Sequence, residues 1–279
     1  MFYNTNKFIF RLFHSLIAHA TVAAIAAVVL CWQTAIWLNL KIAFTVYGFV
    51  FSATFASYNL HSFIASTQFA PLASWPKRVL ISSHAKLGVI ASFIAVYLLY
   101  LQPIATSLLI PAIVFTGLYS LPLTPFVSLQ QHKLLGLLKT GLLAFTWTWV
   151  TLVLPLKQLD VEIFPFYYFG LRFLFMLILC ILFDQRDIAV DEVRGLHSIA
   201  TLISSKNLQV FLWLVWIVFS VLLLQITNSI EGKIIQFFIC SVLLYLIIVP
   251  KNNKGFWFYY VVVDGMMILF GCSTALTSI

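Results

Sequence analysis

Charge is what this chain lacks. Only 9% of its residues are charged, with eight acidic and 16 basic side chains in 279 residues, where a soluble domain carries about 25%. Apolar residues make up 62% and mean hydropathy is +1.04, against roughly 45–50% apolar usage in soluble proteins. So few charges cannot coat a water-soluble domain, and the composition points to a polytopic membrane protein. Cysteine is also scarce. Cys31, Cys180, Cys240 and Cys272 all fall in apolar stretches with no pairing pattern, which excludes a disulfide framework or a zinc site and makes them small buried hydrophobes. No repeat of 20–50 residues and no low-complexity segment is present, which excludes a solenoid and weighs against a transporter built from paired halves. The formal net charge of +8 is accounted for by juxtamembrane cations facing anionic lipid, so membrane lipids are expected partners and nucleic acid is not.

What remains is long apolar runs. Polar residues and prolines divide the chain into apolar segments near 8–31, 40–64, 85–101, 104–121, 135–155, 163–183, 208–227, 232–249 and 257–275. Each is read as a helix, because an open strand edge cannot survive in hydrocarbon. The expected fold is an all-α, polytopic bundle of about nine transmembrane helices around a central cavity, with residues 1–279 forming a single transmembrane domain. Pro155 and Pro250 close their segments and Pro165 suits a first turn, while Pro111 kinks the fourth segment or delays its start. The joint at Gln102-Pro103 is tight. Ala23, Ala24, Ala26 and Ala27 resemble a signal cleavage region, but the long apolar run around them favours a retained helix.

Cations orient the bundle. Lys7, Arg11, Lys77, Arg78, Lys86, Lys133, Lys139, Arg186, Arg194, Lys206, Lys251 and Lys254 gather at one side, against Lys41, Lys157 and Lys233 at the other. Twelve against three over short connections places the N-terminus in the cytoplasm and the C-terminus opposite by the positive-inside rule.

The acidic residues are not scattered. The run Phe183-Asp184-Gln185-Arg186-Asp187-Ile188-Ala189-Val190-Asp191-Glu192-Val193-Arg194-Gly195 holds four of the eight within nine positions. On a helix, Asp184, Asp187 and Asp191 stand at i, i+3 and i+7 and share a face. Carboxylates so placed invite Mg²⁺, which prefers oxygen and is usually held by one or two carboxylates plus substrate phosphate. The plainer alternative is an interfacial loop balanced by Arg186 and Arg194.

These residues resemble the UbiA-type intramembrane prenyltransferases. That family's second aspartate motif reads like (N/D)xRDxxxDxxxG followed by a small hydroxyl residue, and here Asp184, Arg186, Asp187, Asp191, Gly195 and Ser198 occupy those positions. The first motif, NDxxDxxxD at the end of the second helix, is reduced to Asn59, with Leu60, Phe63 and Thr67 in the aspartate positions and His61 as a candidate replacement phosphate contact. The family's Tyr before a cation after the fourth helix is reduced to Tyr119, within Tyr119-Ser120-Leu121-Pro122-Leu123-Thr124; Lys133 or Lys139 would supply the cation if that loop folded over the cavity.

The resemblance implies transfer of a polyprenyl chain from its diphosphate to an aromatic or other lipophilic acceptor. It implies Asp187 and Asp191 as Mg²⁺ ligands with Asp184 completing the catalytic set. Asn59, His61, Tyr119, Arg172, Arg186 and Arg194 would contact substrate, with Lys77, Arg78 or Lys86 adding positive charge. The alternative is a degenerate homologue that binds isoprenoid diphosphates or quinone-like lipids without turnover.

Two charges fall inside spans. Arg172 and Asp264 lie at depths differing by roughly 6 Å, close enough to pair across a cavity, either as packing or as a polar wall for an acceptor. Trp147, Trp149, Trp213, Trp216, Tyr259 and Tyr260 are expected as interfacial belt and packing residues, and His14 and His19 likewise. Sidedness is testable by labelling in sealed vesicles. A cysteine at Ser198 should react with an impermeant maleimide from the cytoplasmic face only; reaction from the outer face alone overturns the orientation.

Overall fold

The computed structural model describes residues 20–67, 74–102, 104, 106–120, 133–156, 164–194, 197–249, 254–255 and 257–277. Among these there is no strand, and each of the nine apolar segments gives a helix. In chain order the helices are α1 (Thr21–Trp37), α2 (Phe44–Thr67), a short α3 (Trp75–Ile81), α4 (Ser83–Leu101), α5 (Thr106–Ser120), α6 (Lys133–Thr148), α7 (Phe166–Arg194), a single-turn α8 (Ile199–Leu202), α9 (Ser205–Leu223), α10 (Ile230–Ile248) and α11 (Asp264–Thr277). Five stretches are long and apolar enough to cross a bilayer: α4, residues Phe166–Ala189 of α7, α9, α10 and Phe258–Leu276. The chain is a polytopic helical membrane bundle. His14 and His19 lie outside the described residues.

Neighbour relations show the layout. α4 packs along α2, α2 on α1, α1 on α11, α11 on α10, α10 on α9, α9 on α7, α7 on α6 and α6 on α5. This path leaves α4 and α5, though consecutive in sequence, with little mutual contact. The side-chain bonds at element ends fit an up-and-down arrangement: Thr45 at the start of α2 donates to Gln102 after α4, and Tyr167 at the start of α7 donates to Leu222 O near the end of α9.

Small residues set the closest approaches, as expected where helices associate by packing and not by exclusion of water. The alanines read as a possible cleavage region are a packing seam: Ala23, Ala24, Ala26 and Ala27 are all buried. A Cβ on Gly271 of α11 would stand 2.5 Å from Val29 Cγ1 and 3.2 Å from Val29 O of α1, and one on Gly88 of α4 would stand 2.8 Å from Leu60 Cγ of α2. Both positions require glycine.

Two boundaries differ from expectation, for physical reasons. α1 runs on to Trp37, because Gln33 and Thr34 are interior residues with no exposure and not an exit signal. α7 continues through the acidic run to Arg194, so that run is helix and not loop; its 29 residues span about 43 Å, more than the roughly 30 Å hydrocarbon core. Pro111 sits inside α5. Two π-helical turns, Trp149–Val153 after α6 and Phe258–Val263 before α11, were not foreseen.

The interior lock is Arg172. With 0% exposure, it donates from Nη1 to Thr151 Oγ1 at 2.8 Å and from Nη2 to Gln33 Oε1 at 2.8 Å and Thr34 Oγ1 at 3.3 Å. Its guanidinium lies 4.9 Å from the Trp37 ring centroid. Gln33 Nε2 in turn donates to Phe270 O at 2.9 Å and Thr274 Oγ1 at 2.7 Å, and Thr34 Oγ1 to Thr151 O at 2.8 Å. The network ties α1, the first π turn, α7 and α11 together. The expected pairing of Arg172 with Asp264 is therefore replaced: matching depth does not place two side chains on facing azimuths, and neutral oxygens reach the guanidinium first. Cys31, Cys180 and Cys240 are buried as expected, whereas Cys272 is exposed.

Two outcomes follow. Gly271→Val should destabilise the detergent-solubilised protein by about 1–3 kcal/mol through overpacking, while Gly170→Ala, with open space around it, should not; equal thermal midpoints for the two would contradict the seam. For the sidedness assay Lys206, which is exposed, is the informative position, since Ser198 has no exposure; a Cys272→Ser background removes the exposed native thiol.

Candidate active site

The C-terminal end of α7 meets the ends of α2, α5 and α6. Consecutive residues of α6 answer two carboxylates of α7: Thr140 Oγ1 donates to Asp184 Oδ2, and Lys139 Nζ stands 3.9 Å from Asp191 Oδ2. Asp184 and Asp191 lie two helical turns apart, about 10 Å along the axis, so the reach of the lysine stem is what lets neighbouring residues meet both. Asp191 is 4% exposed. Asp187, between them, is held from the side: Arg186 Nε donates to Oδ1 and Nη2 to Oδ2, each at 2.7 Å.

Arg186 has its own seat. Its guanidinium lies 5.0 Å from the ring of Phe183, 5.4 Å from Tyr259 and 5.0 Å from Tyr260, cation–π distances that pin it to the π turn before α11. Tyr259 is 2% exposed. These tyrosines thus surround a cation and are not belt residues, and Trp147 is likewise interior at 5%, donating from Nε1 to Tyr58 Oη at 3.0 Å. Trp149 Nε1 donates to Leu108 O and Trp216 Nε1 to Cys240 O, while Trp213 is exposed as a belt residue would be.

From this end a cavity of about 570 Å³ runs between α2, α4, α5 and α6. His61 and Tyr119 line its polar end and Phe49, Leu99, Leu109 and Leu154 belong to its apolar wall. From Phe49 to His61 the wall rises twelve residues of α2, about 18 Å. Val96 and Ile113 line it yet are 64% and 69% exposed, so the cavity is open sideways where α4 and α5 part. The His61 ring stacks on Tyr119 with centroids 5.0 Å apart and 17° between planes. Lys139 Nζ lies 5.8 Å over that same Tyr119 ring. His61, Tyr119, Lys139 and Asp191 thus form a continuous line of contacts from the cavity to the acidic helix.

The expected site residues divide accordingly. Asp184, Asp187, Asp191, Arg186, His61 and Tyr119 meet at this end of the bundle. Asn59 does not line the cavity; it is 1% exposed, Nδ2 donates to Phe55 O and Oδ1 lies 3.0 Å from His84 Nδ1 of α4. Arg172 is sealed in the interior lock, away from the cavity wall. Arg194 ends α7, its side chain outside the described residues. Of the two expected candidates, Lys139, in the body of α6, lies beside Tyr119. Thr140, Tyr58 and Trp147 carried no signal in the sequence beyond their polar or aromatic character.

Asp187 and Asp191 are the carboxylates here that could serve a divalent cation. Asp187 and Asp191 are one turn apart, the Asp187 side chain is 38% exposed, and a carboxylate in contact with one cation keeps further lone pairs. Among the described residues no three acidic, His or Cys side chains gather to hold an ion unaided. The remaining ligands would be phosphate and water, the usual manner of Mg²⁺.

No family model and no curated protein matches the chain. Among solved structures it is similar to digeranylgeranylglyceryl phosphate synthase, with 16% identity, a TM-score of 0.57, and coverage of 94% of this chain and 96% of that one. At this identity the similarity speaks for the fold, and it extends over nearly the whole of both chains. The chain therefore shares the fold of that synthase, in keeping with the resemblance drawn from the residues between Asp184 and Gly195.

Proposed function

We propose that the protein binds a prenyl diphosphate and transfers its prenyl chain to an aromatic or other lipophilic acceptor in the membrane. One observation carries this reading: a largely apolar cavity, open sideways between α4 and α5, ends at His61 and Tyr119, beside a helix end bearing Asp184, Asp187 and Asp191. Such a cavity suits an amphipathic molecule with a long isoprenoid tail and a strongly anionic head. The solved digeranylgeranylglyceryl phosphate synthase shares the fold, which supports the reaction class.

In this reading Asp187 and Asp191 would hold Mg²⁺, which would supply neutralisation of the diphosphate leaving group. Lys139 and Arg186 add positive charge beside it, and Asp184, fixed by Thr140, orients the carboxylate face. His61 and Tyr119 close the head of the cavity over the first carbons of the tail. The rings of Tyr58 and Trp147, which line the cavity, favour positive charge developing at the allylic carbon, and the apolar wall keeps water from it. The cytoplasmic placement of this end rests on the cation asymmetry.

A second reading, binding of isoprenoid diphosphates or quinone-like lipids without turnover, is favoured by one specific observation. The aspartate positions of the first motif hold Leu60, Phe63 and Thr67, the last two buried at 5% and 2%, so no carboxylate from α2 faces α7 there.

Asp187→Asn should lower Mg²⁺-dependent binding of farnesyl diphosphate by about tenfold or more while leaving the thermal midpoint nearly unchanged. Ala112→Phe, which fills the cavity, should weaken binding of the prenyl compound but not of inorganic pyrophosphate. Unchanged prenyl diphosphate binding in both folded variants contradicts the proposed site. Product formation with a panel of lipophilic acceptors separates transfer from binding alone.

A further inference from the structure

We propose that Arg186 and Lys139 are built-in counter-ions of the acidic helix, so that a divalent cation binds tightly only together with a diphosphate and not before it. This rests on the diphosphate reading above and adds an order of binding to it.

The Arg186–Asp187 pair joins neighbours in sequence. Residues i and i+1 on a helix point about 100° apart and do not ordinarily face each other, so the bidentate contact at 2.7 Å is not imposed by the helix. The guanidinium is positioned independently, by Phe183 one turn earlier and by Tyr259 and Tyr260 of the π turn before α11. With the cation seated by rings, the Asp187 carboxylate is the partner free to turn. It is also the more exposed of the two, 38% against 26%, so an ion arriving from water reaches it without unpacking Arg186.

Lys139 plays the same part for Asp191 at 3.9 Å, and its ammonium also faces the Tyr119 ring at the cavity head. Asp184, Asp187 and Asp191 against Lys139 and Arg186 leave one net negative charge among these five groups, with Asp264 of α11 also within electrostatic reach of Arg186. A bare divalent ion gains little there, because it must displace or share partners already in place. A diphosphate changes the balance: its oxygens engage the ammonium and guanidinium and complete the metal's coordination. Linkage then requires that metal tighten diphosphate and diphosphate tighten metal by the same factor.

The test measures Mn²⁺ binding to the full-length protein by electron paramagnetic resonance, with and without a non-reacting thio-diphosphate analogue of farnesyl diphosphate. In the native sequence Mn²⁺ alone should bind weakly and the analogue should tighten it. Arg186→Met, which leaves an apolar side chain among the three rings, should strengthen binding of Mn²⁺ alone by about tenfold, the size expected for removing one nearby like charge, and should shrink the effect of the analogue. Lys139→Met should do the same at Asp191, and carries the test if Arg186→Met does not fold. Arg186→Lys should stay near native behaviour. Unchanged or weaker binding of Mn²⁺ alone in the folded Met variants overturns the inference. If those variants gain Mn²⁺ affinity but no form binds the analogue, the counter-ions are real, the coupling to diphosphate is refuted, and the prenyl diphosphate reading falls with it.

Discussion

Charge carried on a helix into hydrocarbon must be answered by other elements, at a cost of at least about 2.5–3.5 kcal/mol per charge when it is not. α7 is where this constraint is concentrated. It bears Arg172, Asp184, Arg186, Asp187 and Asp191 along a single helix; Asp187 is met by Arg186 of the same helix, and the surrounding bundle meets the other four. Gln33, Thr34 and Thr151 take Arg172; Thr140 takes Asp184; the π turn before α11 takes Arg186; Lys139 takes Asp191. Removing α7 from this scheme would take these partners from Gln33 Oε1 on α1 and from Lys139 and Thr140 on α6.

The same arrangement has two unlike halves. Around Arg172 the partners are neutral, fully buried and closed in upon one another, which suits a lock and leaves no room for a ligand. At the other end the partners are ionic, partly exposed and next to a cavity, which suits exchange of one counter-ion for another. Both π turns fall on elements that reach to α7, one bringing Thr151 to Arg172 and the other bringing Tyr259 and Tyr260 to Arg186. A π turn shifts the side chains after it relative to an α-helix, and here that shift supplies the partner.

Much of this was legible in the sequence because hydropathy is a strong signal in a chain with so few charges. The nine apolar segments and the one-faced spacing of Asp184, Asp187 and Asp191 needed only helical periodicity. What failed to show was azimuth. Gln33 and Thr34 look like an exit from the membrane when read along the chain, yet they face the bundle and α1 continues past them. Arg172 and Asp264 match in depth, but depth says nothing of which way a helix is turned. Lys139 was in view as a candidate cation, but its place over Tyr119 depends on α6 packing against α5, a contact between elements that no local pattern encodes. Asn59 was read toward the cavity and is instead spent on His84 between α2 and α4.

Whether the cavity and the acidic helix end form one site is answered most directly by photo-crosslinking with a diazirine-bearing prenyl diphosphate, followed by peptide mapping. Labels on the cavity faces of α2, α4, α5 and α6, suppressed by excess unlabelled prenyl diphosphate and reduced by Asp187→Asn, are the predicted result. Labels confined to the lipid-facing surfaces of α9 and α10, or insensitive to competitor and to Asp187→Asn, would contradict it.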